Sequence, residues 1–215
     1  MNTSDRATAI SQAAEPLRAL LGPTTADDLL AWLRAELGST EALDGWVEHG
    51  KAKTKALAPG NILHVVSGNT PHAALQSLIG GLLLGSRNLL KLPRGGMIEV
   101  DEFGSGRPVA LRTSVETAEE LPSDWLTQAE AVIVYGSDET VAHFRNLVSP
   151  AQVFVGHGHK ASLGIVWDDP QFATCQGAAR AASLFDQQGC LSPQVFYVRE
   201  TRPGFAREYA ERLSS

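Results

Sequence analysis

Cysteine is scarce in this chain, whose 215 residues include only Cys175 and Cys190. Two cysteines are too few for a disulfide framework, and neither belongs to a CxxC pair or lies near a histidine at metal-ligand spacing. Apolar residues make up 43% of the chain and charged residues 20%, which are the proportions of an ordinary globular domain. The composition therefore excludes a disulfide-rich secreted scaffold, and the length is sufficient for a core without disulfides or metals.

The chain also lacks an excess of positive charge and a long apolar run. Its 18 Lys and Arg residues against 24 Asp and Glu residues leave a net charge of −6, whereas bulk binding to nucleic acid requires a basic face. The most apolar segment, residues 73–85, is too short to cross a bilayer. The first 22 residues lack the basic and apolar regions of a signal peptide. We therefore expect a cytoplasmic protein without a membrane span or a nucleic-acid partner.

Residues 1–58 are predicted to form a helical N-terminal region. A threonine at position 24 or 25 can cap a helix whose apolar positions repeat at helical spacing, and Gly38 ends that helix. Trp46 and Val47 are assigned to a third helical stretch. This region is expected to precede the part of the chain that forms a sheet.

The middle of the chain, residues 59–160, has the pattern of a Rossmann-like dinucleotide-binding domain. Buried strands are predicted at 62–66, 88–92, 131–135 and 152–155, with a buried helix at 73–84 and another helix between the last two strands. Strand and helix alternate in two βα units without long antiparallel runs, which favours a doubly wound, mostly parallel sheet. The crossover between the first two strands should be right-handed.

Two other parts of the chain complete the predicted organisation. Glycine and proline make residues 94–108 resemble a loop, and residues 109–111 are assigned to a short strand. Residues 161–215 begin a further α/β arrangement. Its predicted elements are a strand at 162–167, a helix at 171–185, a strand at 195–198 and a helix at 205–213.

Cys190 is the leading candidate for chemistry. It follows Gly189 in a polar turn between a predicted helix and a predicted strand. A thiol in such a turn can be exposed, and nearby backbone N–H groups can lower its pKa or bind an oxyanion. The alternative interpretation is a half-buried structural cysteine. Cys175 lies among small residues of a helix and is interpreted as a packing residue.

Four further candidates lie where predicted strands end. Asn69 can cap the following helix through its side-chain oxygen or turn its amide toward a ligand. Gly136 and Ser137 occupy the equivalent turn of the second unit, where a helix N-terminus attracts phosphate. Lys91 lies at the carboxyl edge of the sheet, where open α/β sheets bind ligands, although an ordinary surface lysine remains an alternative.

A metal site is not expected, because the sequence offers no complete ligand set. His157 and His159 are separated by two positions, and no third ligand is in obvious register with them.

Taken in chain order, five motifs resemble the aldehyde dehydrogenase superfamily. They are Asn69-Thr70-Pro71, residues 85–93, residues 134–137, Gly158-His159-Lys160 and Gln188-Gly189-Cys190. Residues 135–140 and 185–194 are more closely similar to the acyl-CoA reductase branch, which includes the long-chain fatty acid reductase of bacterial bioluminescence. The resemblance covers roughly residues 60 to 200. It implies an aldehyde-dehydrogenase-like α/β fold, with residues 161–215 as an incomplete catalytic domain that carries the thiol.

The resemblance also assigns roles to the five candidate residues. Cys190 matches the catalytic thiol, which takes the acyl group from CoA as a thioester. Asn69 matches the side chain that stabilises the oxyanion together with the backbone N–H of the nucleophile. Lys91 matches the lysine at the adenosine ribose or its 2′-phosphate. Gly136 and Ser137 match the turn that meets the cofactor pyrophosphate.

The reaction implied by this resemblance is the NADPH-dependent reduction of a fatty acyl-CoA to an aldehyde through a cysteine thioester. Lys91 and the nearby Arg87 and Arg94 favour a 2′-phosphate and therefore NADPH, and NADH stays an open alternative. A homo-oligomer, or partner enzymes that transfer acyl groups, are the remaining expected partners.

The chain departs from aldehyde-oxidising members of the superfamily at one position. Those members carry a glutamate that activates hydrolytic water, and the corresponding place here is about Gly156, in a run without a carboxylate. Loss of this base suits reduction, because the thioester must survive until hydride arrives. His157 or His159 is the hypothetical proton donor to the nascent aldehyde.

Two alternative functions remain open from the sequence. Only 25 residues follow Cys190, so we expect the chain to be a fragment of the full enzyme. It could then be a nucleotide-binding or CoA-binding module without turnover. A cysteine acyltransferase is the other alternative, and it would require a histidine paired with an acid, which no motif supplies.

Overall fold

The structure is a computed structural model that describes residues 1–22, 24–69, 71–106, 108–169, 171–183, 187, 189 and 192–214. The chain divides into two compact units, Met1–Gly158 and His159–Ser215.

Three helices begin the first unit, and their ends follow the sequence closely. They are α1 (Thr3–Ala14), α2 (Arg18–Leu21) and α3 (Ala26–Leu37). The Thr25 side chain accepts a hydrogen bond from the backbone N–H of Asp28, whose carboxylate in turn accepts from the Thr25 N–H. Gly38 ends α3 in the left-handed conformation. The predicted boundaries of this helix are therefore confirmed, because both ends are encoded by local capping chemistry.

A β-hairpin replaces the third helical stretch predicted around Trp46 and Val47, so that prediction was wrong. Strands β1 (Val47–His49) and β2 (Ala52–Thr54) pair antiparallel. Gly50 has φ +62° in the turn between them, a conformation that glycine adopts without steric cost and that reverses the chain here.

The rest of the first unit alternates between strands and helices. Its strands are β3 (Asn61–Val65), β4 (Arg87–Lys91), β5 (Val115–Ala118), β6 (Ala131–Tyr135) and β7 (Val153–His157). Its helices are α4 (Pro71–Leu84), α5 (Ile98–Gly106), α6 (Val109–Arg112), α7 (Trp125–Gln128) and α8 (Asp138–Leu147).

The five strands form one sheet in the order β5-β4-β3-β6-β7, and every neighbouring pair is parallel. Val65 lies opposite Lys91 on one side and opposite Val134 on the other. Along the chain, β4 and then β5 are added on one side of β3, and β6 and then β7 are added on its other side. The predicted doubly wound parallel sheet is confirmed, and its strand order changes direction between β3 and β6.

Helices cover both faces of this sheet. Apolar side chains of α1, α3, α4 and α5 form one core cluster, in which Leu75, Leu78 and Phe103 are fully buried. Trp125 from α7 and Phe144 from α8 pack with strand residues on the opposite face. The central strands β3 and β6 are nearly continuous apolar segments, as parallel strands covered on both faces generally are, whereas alternate residues of the edge strand β7 are exposed.

The segment between β4 and β6 differs from its prediction. Residues 98–106 form α5 rather than a loop, and residues 109–112 form α6 rather than a strand. The strand of this segment is β5, which the sequence did not reveal. Helix α5 forms because Phe103 packs into the core, and Gly106 allows α1 to approach, since a Cβ there would lie 3.2 Å from the Ala13 carbonyl oxygen.

The second unit contains β8 (Ser162–Val166), α9 (Cys175–Ser183), β9 (Pro193–Val198) and α10 (Phe205–Leu213). Strands β8 and β9 pair in parallel. Cys175 is buried with Phe205 and Tyr209 in a small core. Among the described residues of the whole chain, no helix is both long and apolar enough to cross a membrane.

Candidate functional site

The carboxyl edge of the five-stranded sheet gathers four of the predicted site residues. Asn69 follows β3, Lys91 ends β4, and Gly136 and Ser137 follow β6. The three strands are adjacent in the order β4-β3-β6, so the backbones of β4 and β6 are separated by two strand spacings, about 10 Å. Ligands of open α/β sheets bind at such an edge, where the strand order changes direction.

The loop that carries Asn69 is joined to the loop that follows Lys91. The backbone N–H of Val66 donates to the carbonyl oxygen of Lys91 at 3.1 Å. A Cβ on Gly68 would lie 3.3 Å from the Cβ of Pro93, so a larger residue would push the two loops apart. Asn69 itself is exposed, and its amide is therefore accessible to a ligand. Its neighbour Thr70 lies outside the described residues.

The arginines predicted to accompany Lys91 have different positions. Arg94 is exposed in the turn that follows β4. Arg87 begins β4 at the opposite edge of the sheet, where it forms an ion pair with Glu116. The expectation that Arg87 contributes to a 2′-phosphate site was therefore wrong, because Arg87 lies four positions before Lys91 along the strand, about 13 Å away.

The turn after β6 starts helix α8. The Ser137 side chain accepts a hydrogen bond from the backbone N–H of Thr140 at 3.3 Å, which caps the helix. The Gly136 N–H donates to the carbonyl oxygen of His157 at 3.2 Å. Gly136 also leaves room for the Thr140 side chain, since a Cβ at 136 would lie 3.1 Å from it. The Ser137 hydroxyl therefore has a structural role as well as its predicted ligand role.

Two carboxylates in the first turn of α8 affect the charge of this site. Asp138 and Glu139 follow the cap directly. A hydrogen bond from Ser137 lowers the pKa of the Glu139 carboxyl, so this group is ionised at neutral pH. A bound phosphate would lie near these negative charges as well as near the positive end of the helix. Lys91, at the end of β4, supplies a positive charge at the same edge of the sheet.

Strand β7 has no space for a side chain at Gly156. A Cβ there would lie 2.5 Å from Cγ1 of Val141 and 3.0 Å from the Phe154 ring. A glutamate at this position would therefore collide with α8 unless the backbone moved. His157 stacks on Tyr135, with 4.5 Å between the ring centroids, and His159 begins the second unit.

Cys190 lies outside the described residues, and so do Gln188 and Leu191. Near them, Gln187 has φ +62°, and the Ser192 N–H donates to the carbonyl oxygen of Gly189 at 3.0 Å. The predicted role of Cys190 therefore stays a prediction. Within the part of the chain that the structure describes, no group of three or more His, Cys, Asp or Glu side chains could hold a metal ion.

A buried polar cluster was missed by the sequence analysis. His64 and Asn88 are fully buried, and Ser77 is nearly so. His64 Nδ1 lies 2.7 Å from Ser77 Oγ, and His64 Nε2 lies 3.0 Å from Asn88 Oδ1. The available signal was a polar residue inside each of three apolar segments, since buried polar groups require partners.

Comparison with known proteins gives the relationships of the chain. Residues 3–215 match the family model described as Acyl-CoA reductase (LuxC). The "Long-chain acyl-protein thioester reductase" of Aliivibrio fischeri is 25% identical over 83% of this chain and 40% of its own length. The "Long-chain acyl-protein thioester reductase 2" of Photobacterium leiognathi is 26% identical with the same coverage. The chain thus spans about 40% of the length of these curated relatives.

Comparison with solved structures shows the fold of this chain. A protein assigned to the aldehyde dehydrogenases, PutA from Anabaena variabilis, superimposes with a TM-score of 0.69 at 16% identity, covering 99% of this chain and 51% of that protein. The predicted aldehyde-dehydrogenase-like fold is therefore confirmed. Because the family model covers nearly the whole chain, the chain belongs to the acyl-CoA reductase (LuxC) family.

Proposed function

We propose that this chain carries out part or all of the reduction of a long-chain acyl thioester, such as a fatty acyl-CoA, to the aldehyde with NADPH. The observation that carries the proposal is the gathering of Asn69, Lys91 and the N-terminus of α8 at one edge of the sheet. Family membership and the names of the relatives support the same chemistry.

The residues at this edge fit a nicotinamide dinucleotide. Lys91 and Arg94 supply cations on the β4 side, and α8 presents its N-terminus after Gly136 and Ser137. We assign the pyrophosphate to the turn at Gly136 and Ser137, and the adenosine ribose with its 2′-phosphate to Lys91. When bound there, the cofactor would supply hydride to the acyl carbon.

The chain contributes the nucleophile and the oxyanion donor. The Cys190 thiolate attacks the thioester carbonyl, a new C–S bond forms, and CoA leaves as a thiolate that takes up a proton. The Asn69 side-chain N–H donates to the oxyanion that develops on the carbonyl oxygen. After reduction, the bond between carbon and the Cys190 sulfur breaks, and the free thiolate and the aldehyde are released.

The packing around Gly156 supports reduction over hydrolysis. No carboxylate can occupy this position without displacing Val141, so the chain has no base there to activate water against the thioester. We therefore expect a thioester on Cys190 to be reduced rather than hydrolysed.

Labelling with radioactive acyl-CoA tests the nucleophile. We expect Cys190→Ser to abolish covalent acylation, because an alcohol at this position lacks the reactivity of the thiolate. Cys175→Ser is the matched control, and it should be acylated as the unaltered chain is, since Cys175 is buried in the small core. Normal labelling of Cys190→Ser, or loss of labelling only in Cys175→Ser, would overturn the assignment.

A second assay separates reduction from the two alternative functions. The protein is mixed with acyl-CoA and NADPH, and the nicotinamide absorbance is followed together with the release of free CoA. Loss of absorbance supports reduction. Release of CoA at constant absorbance indicates an acyltransferase, and NADPH binding without either change indicates a binding module.

A further inference from the structure

We propose that a buried hydrogen-bonded chain formed by Ser77, His64 and Asn88 is a positioning device that holds Asn69 and Lys91 in place at the edge of the sheet. We call these three residues the buried clamp. The inference rests on the proposed function for the roles of Asn69 and Lys91. The clamp joins α4, β3 and β4; Lys91 ends β4, and Asn69 lies in the loop between β3 and α4.

The hydrogen bonds of the buried clamp have a defined direction. The Asn88 amide nitrogen donates to the carbonyl oxygens of Ser86 and Ser114, at 2.8 and 3.3 Å. Its oxygen must then accept from His64 Nε2, so the imidazole carries its proton on Nε2. His64 Nδ1 is therefore an acceptor, and Ser77 Oγ donates to it at 2.7 Å. Every polar atom of the clamp side chains has a partner.

Helix α4 packs closely against the clamp residues of the two strands. A Cβ on Gly81 would lie 1.9 Å from the Asn88 oxygen and 3.3 Å from His64 Nε2. Helix α4 therefore approaches the two strands more closely than any side chain at position 81 would allow. At this separation, a small shift of α4 along the sheet would break the hydrogen bond from Ser77 to His64 and bring the helix backbone against Asn88, so the clamp selects one register.

The clamp is close to the site along each element. Asn88 precedes Lys91 by three residues in β4, about 10 Å, and His64 precedes Asn69 by five residues. Ser77 lies within the first two turns of α4, the helix that begins at Pro71. Beyond the clamp, the bond from the Val66 N–H to the Lys91 carbonyl connects β3 and β4 at the edge itself. A site residue on a rigid strand, such as Lys91, or in a short loop between two fixed elements, such as Asn69, keeps its geometry better than a residue on a free loop.

Matched serine variants of the full chain test the clamp by NADPH titration. Ser77→Ala leaves the buried Nδ1 of His64 without its donor, and we expect NADPH to bind about five- to tenfold more weakly. Ser86→Ala is the control, because the Ser86 hydroxyl oxygen is equally buried but has no hydrogen-bond partner among the described residues. Its affinity for NADPH should stay within about twofold of the unaltered chain.

Two further variants separate positioning from general stability. Ile10→Val removes a methylene group from the core cluster beside α4, and we expect it to lower the melting temperature without weakening NADPH binding. His64→Gln keeps one donor and one acceptor, so it should retain more affinity than His64→Leu, which keeps neither. Weakened binding in Ile10→Val equal to that in Ser77→Ala would overturn the positioning role.

Amide hydrogen exchange gives a readout that does not depend on the cofactor. The Val66 amide should exchange about five- to tenfold faster in Ser77→Ala than in Ser86→Ala, because its acceptor is the Lys91 carbonyl. Unchanged exchange of Val66 together with unchanged NADPH affinity overturns the clamp. Failure of the unaltered chain to bind NADPH overturns the proposed cofactor site instead, and the exchange rates then still decide whether the clamp holds the edge.

Discussion

His64 shows how one side chain can couple the protein's stability to pH. Burial lowers the pKa of its imidazole from 6.5 to about 4, and the hydrogen bond to Asn88 opposes this effect only in part. In the unfolded chain the same imidazole takes up a proton near its ordinary pKa. Between about pH 6.5 and pH 4, the unfolded state therefore binds a proton that the folded state does not, and acid favours unfolding.

The free energy of unfolding should consequently fall as the pH is lowered from 6.5 to 4. The expected loss is up to about 3 kcal/mol, and the contribution is fully present above pH 6.5. Urea titrations at several pH values measure it, and His64→Gln should show a flatter profile over this range. His143→Gln, at an exposed position of α8, is the control. Parallel profiles for His64→Gln and the unaltered chain would contradict the expectation.

Two neighbouring glycines in α4 differ in how much space a side chain would have. Gly80 faces Trp32, and a Cβ there would make an ordinary 3.5 Å contact with the indole. Gly81 faces the Asn88 side chain, and a Cβ there would overlap its oxygen. The helix is otherwise apolar on nearly all sides, so its sequence pattern does not distinguish the two positions.

Alanine substitutions at these glycines should have opposite effects. Gly81→Ala is expected to lower the free energy of unfolding by about 1–3 kcal/mol, because the Cβ displaces Asn88 or the helix. Gly80→Ala should leave stability unchanged or raise it by up to about 1 kcal/mol, since alanine is the better helix former. Thermal or urea unfolding of both variants measures the difference. Equal losses in the two variants would show that the close approach at Gly81 is not the cause.

The start of α8 combines a helix cap with the proposed pyrophosphate site. Ser137 caps the helix through Thr140, so Ser137→Ala should cost about 1 kcal/mol of stability. Ser137→Asp keeps a capping oxygen and should preserve stability within about 0.5 kcal/mol. It should nevertheless bind NADPH more weakly, because its carboxylate adds to the negative charge of Asp138 and Glu139. Calorimetry and NADPH titration of both variants separate the two roles, and undiminished binding by Ser137→Asp would argue against the site.

The two compact units differ in how well they bury their apolar surface. The first unit has a five-stranded sheet with helices on both faces and two core clusters. The core of the second unit is built around Cys175, Phe205 and Tyr209. In that unit Ile165 is 69% exposed and Trp167 is 68% exposed, so much of its apolar surface remains in contact with water.

We therefore expect residues 1–158 to fold when expressed alone, and residues 159–215 not to. A segment of about 60 residues buries only about 60% of the surface that its unfolded chain exposes, so its stability is marginal, and this one also leaves Ile165 and Trp167 largely exposed. Circular dichroism and thermal melts of the two segments test this difference. Cooperative unfolding of 159–215, or the absence of a transition for 1–158, would contradict it. If the proposed cofactor site is right, residues 1–158 should also bind NADPH.

Much of the secondary structure of this protein could be predicted from short stretches of its sequence. The caps of α3, the four predicted strands of the sheet and the helix at α4 follow from residues close together in the chain, because periodicity and capping act over a few positions. The candidate residues Asn69, Lys91, Gly136 and Ser137 could be named because each follows or ends a recognisable strand. The structure places these four residues at the same edge of the sheet. Their chemical roles stay predictions.

Tertiary packing decided the rest, because it brings together residues that no local pattern connects. The side-by-side placement of β3 and β6, about 70 residues apart in the chain, creates the edge at which those candidates meet. The same packing stabilises α5 in a glycine-rich segment, because the helix buries Phe103 in the core. It also converted three isolated polar residues, His64, Ser77 and Asn88, into one hydrogen-bonded chain, because burial left each of them with only the others and the nearby backbone as partners.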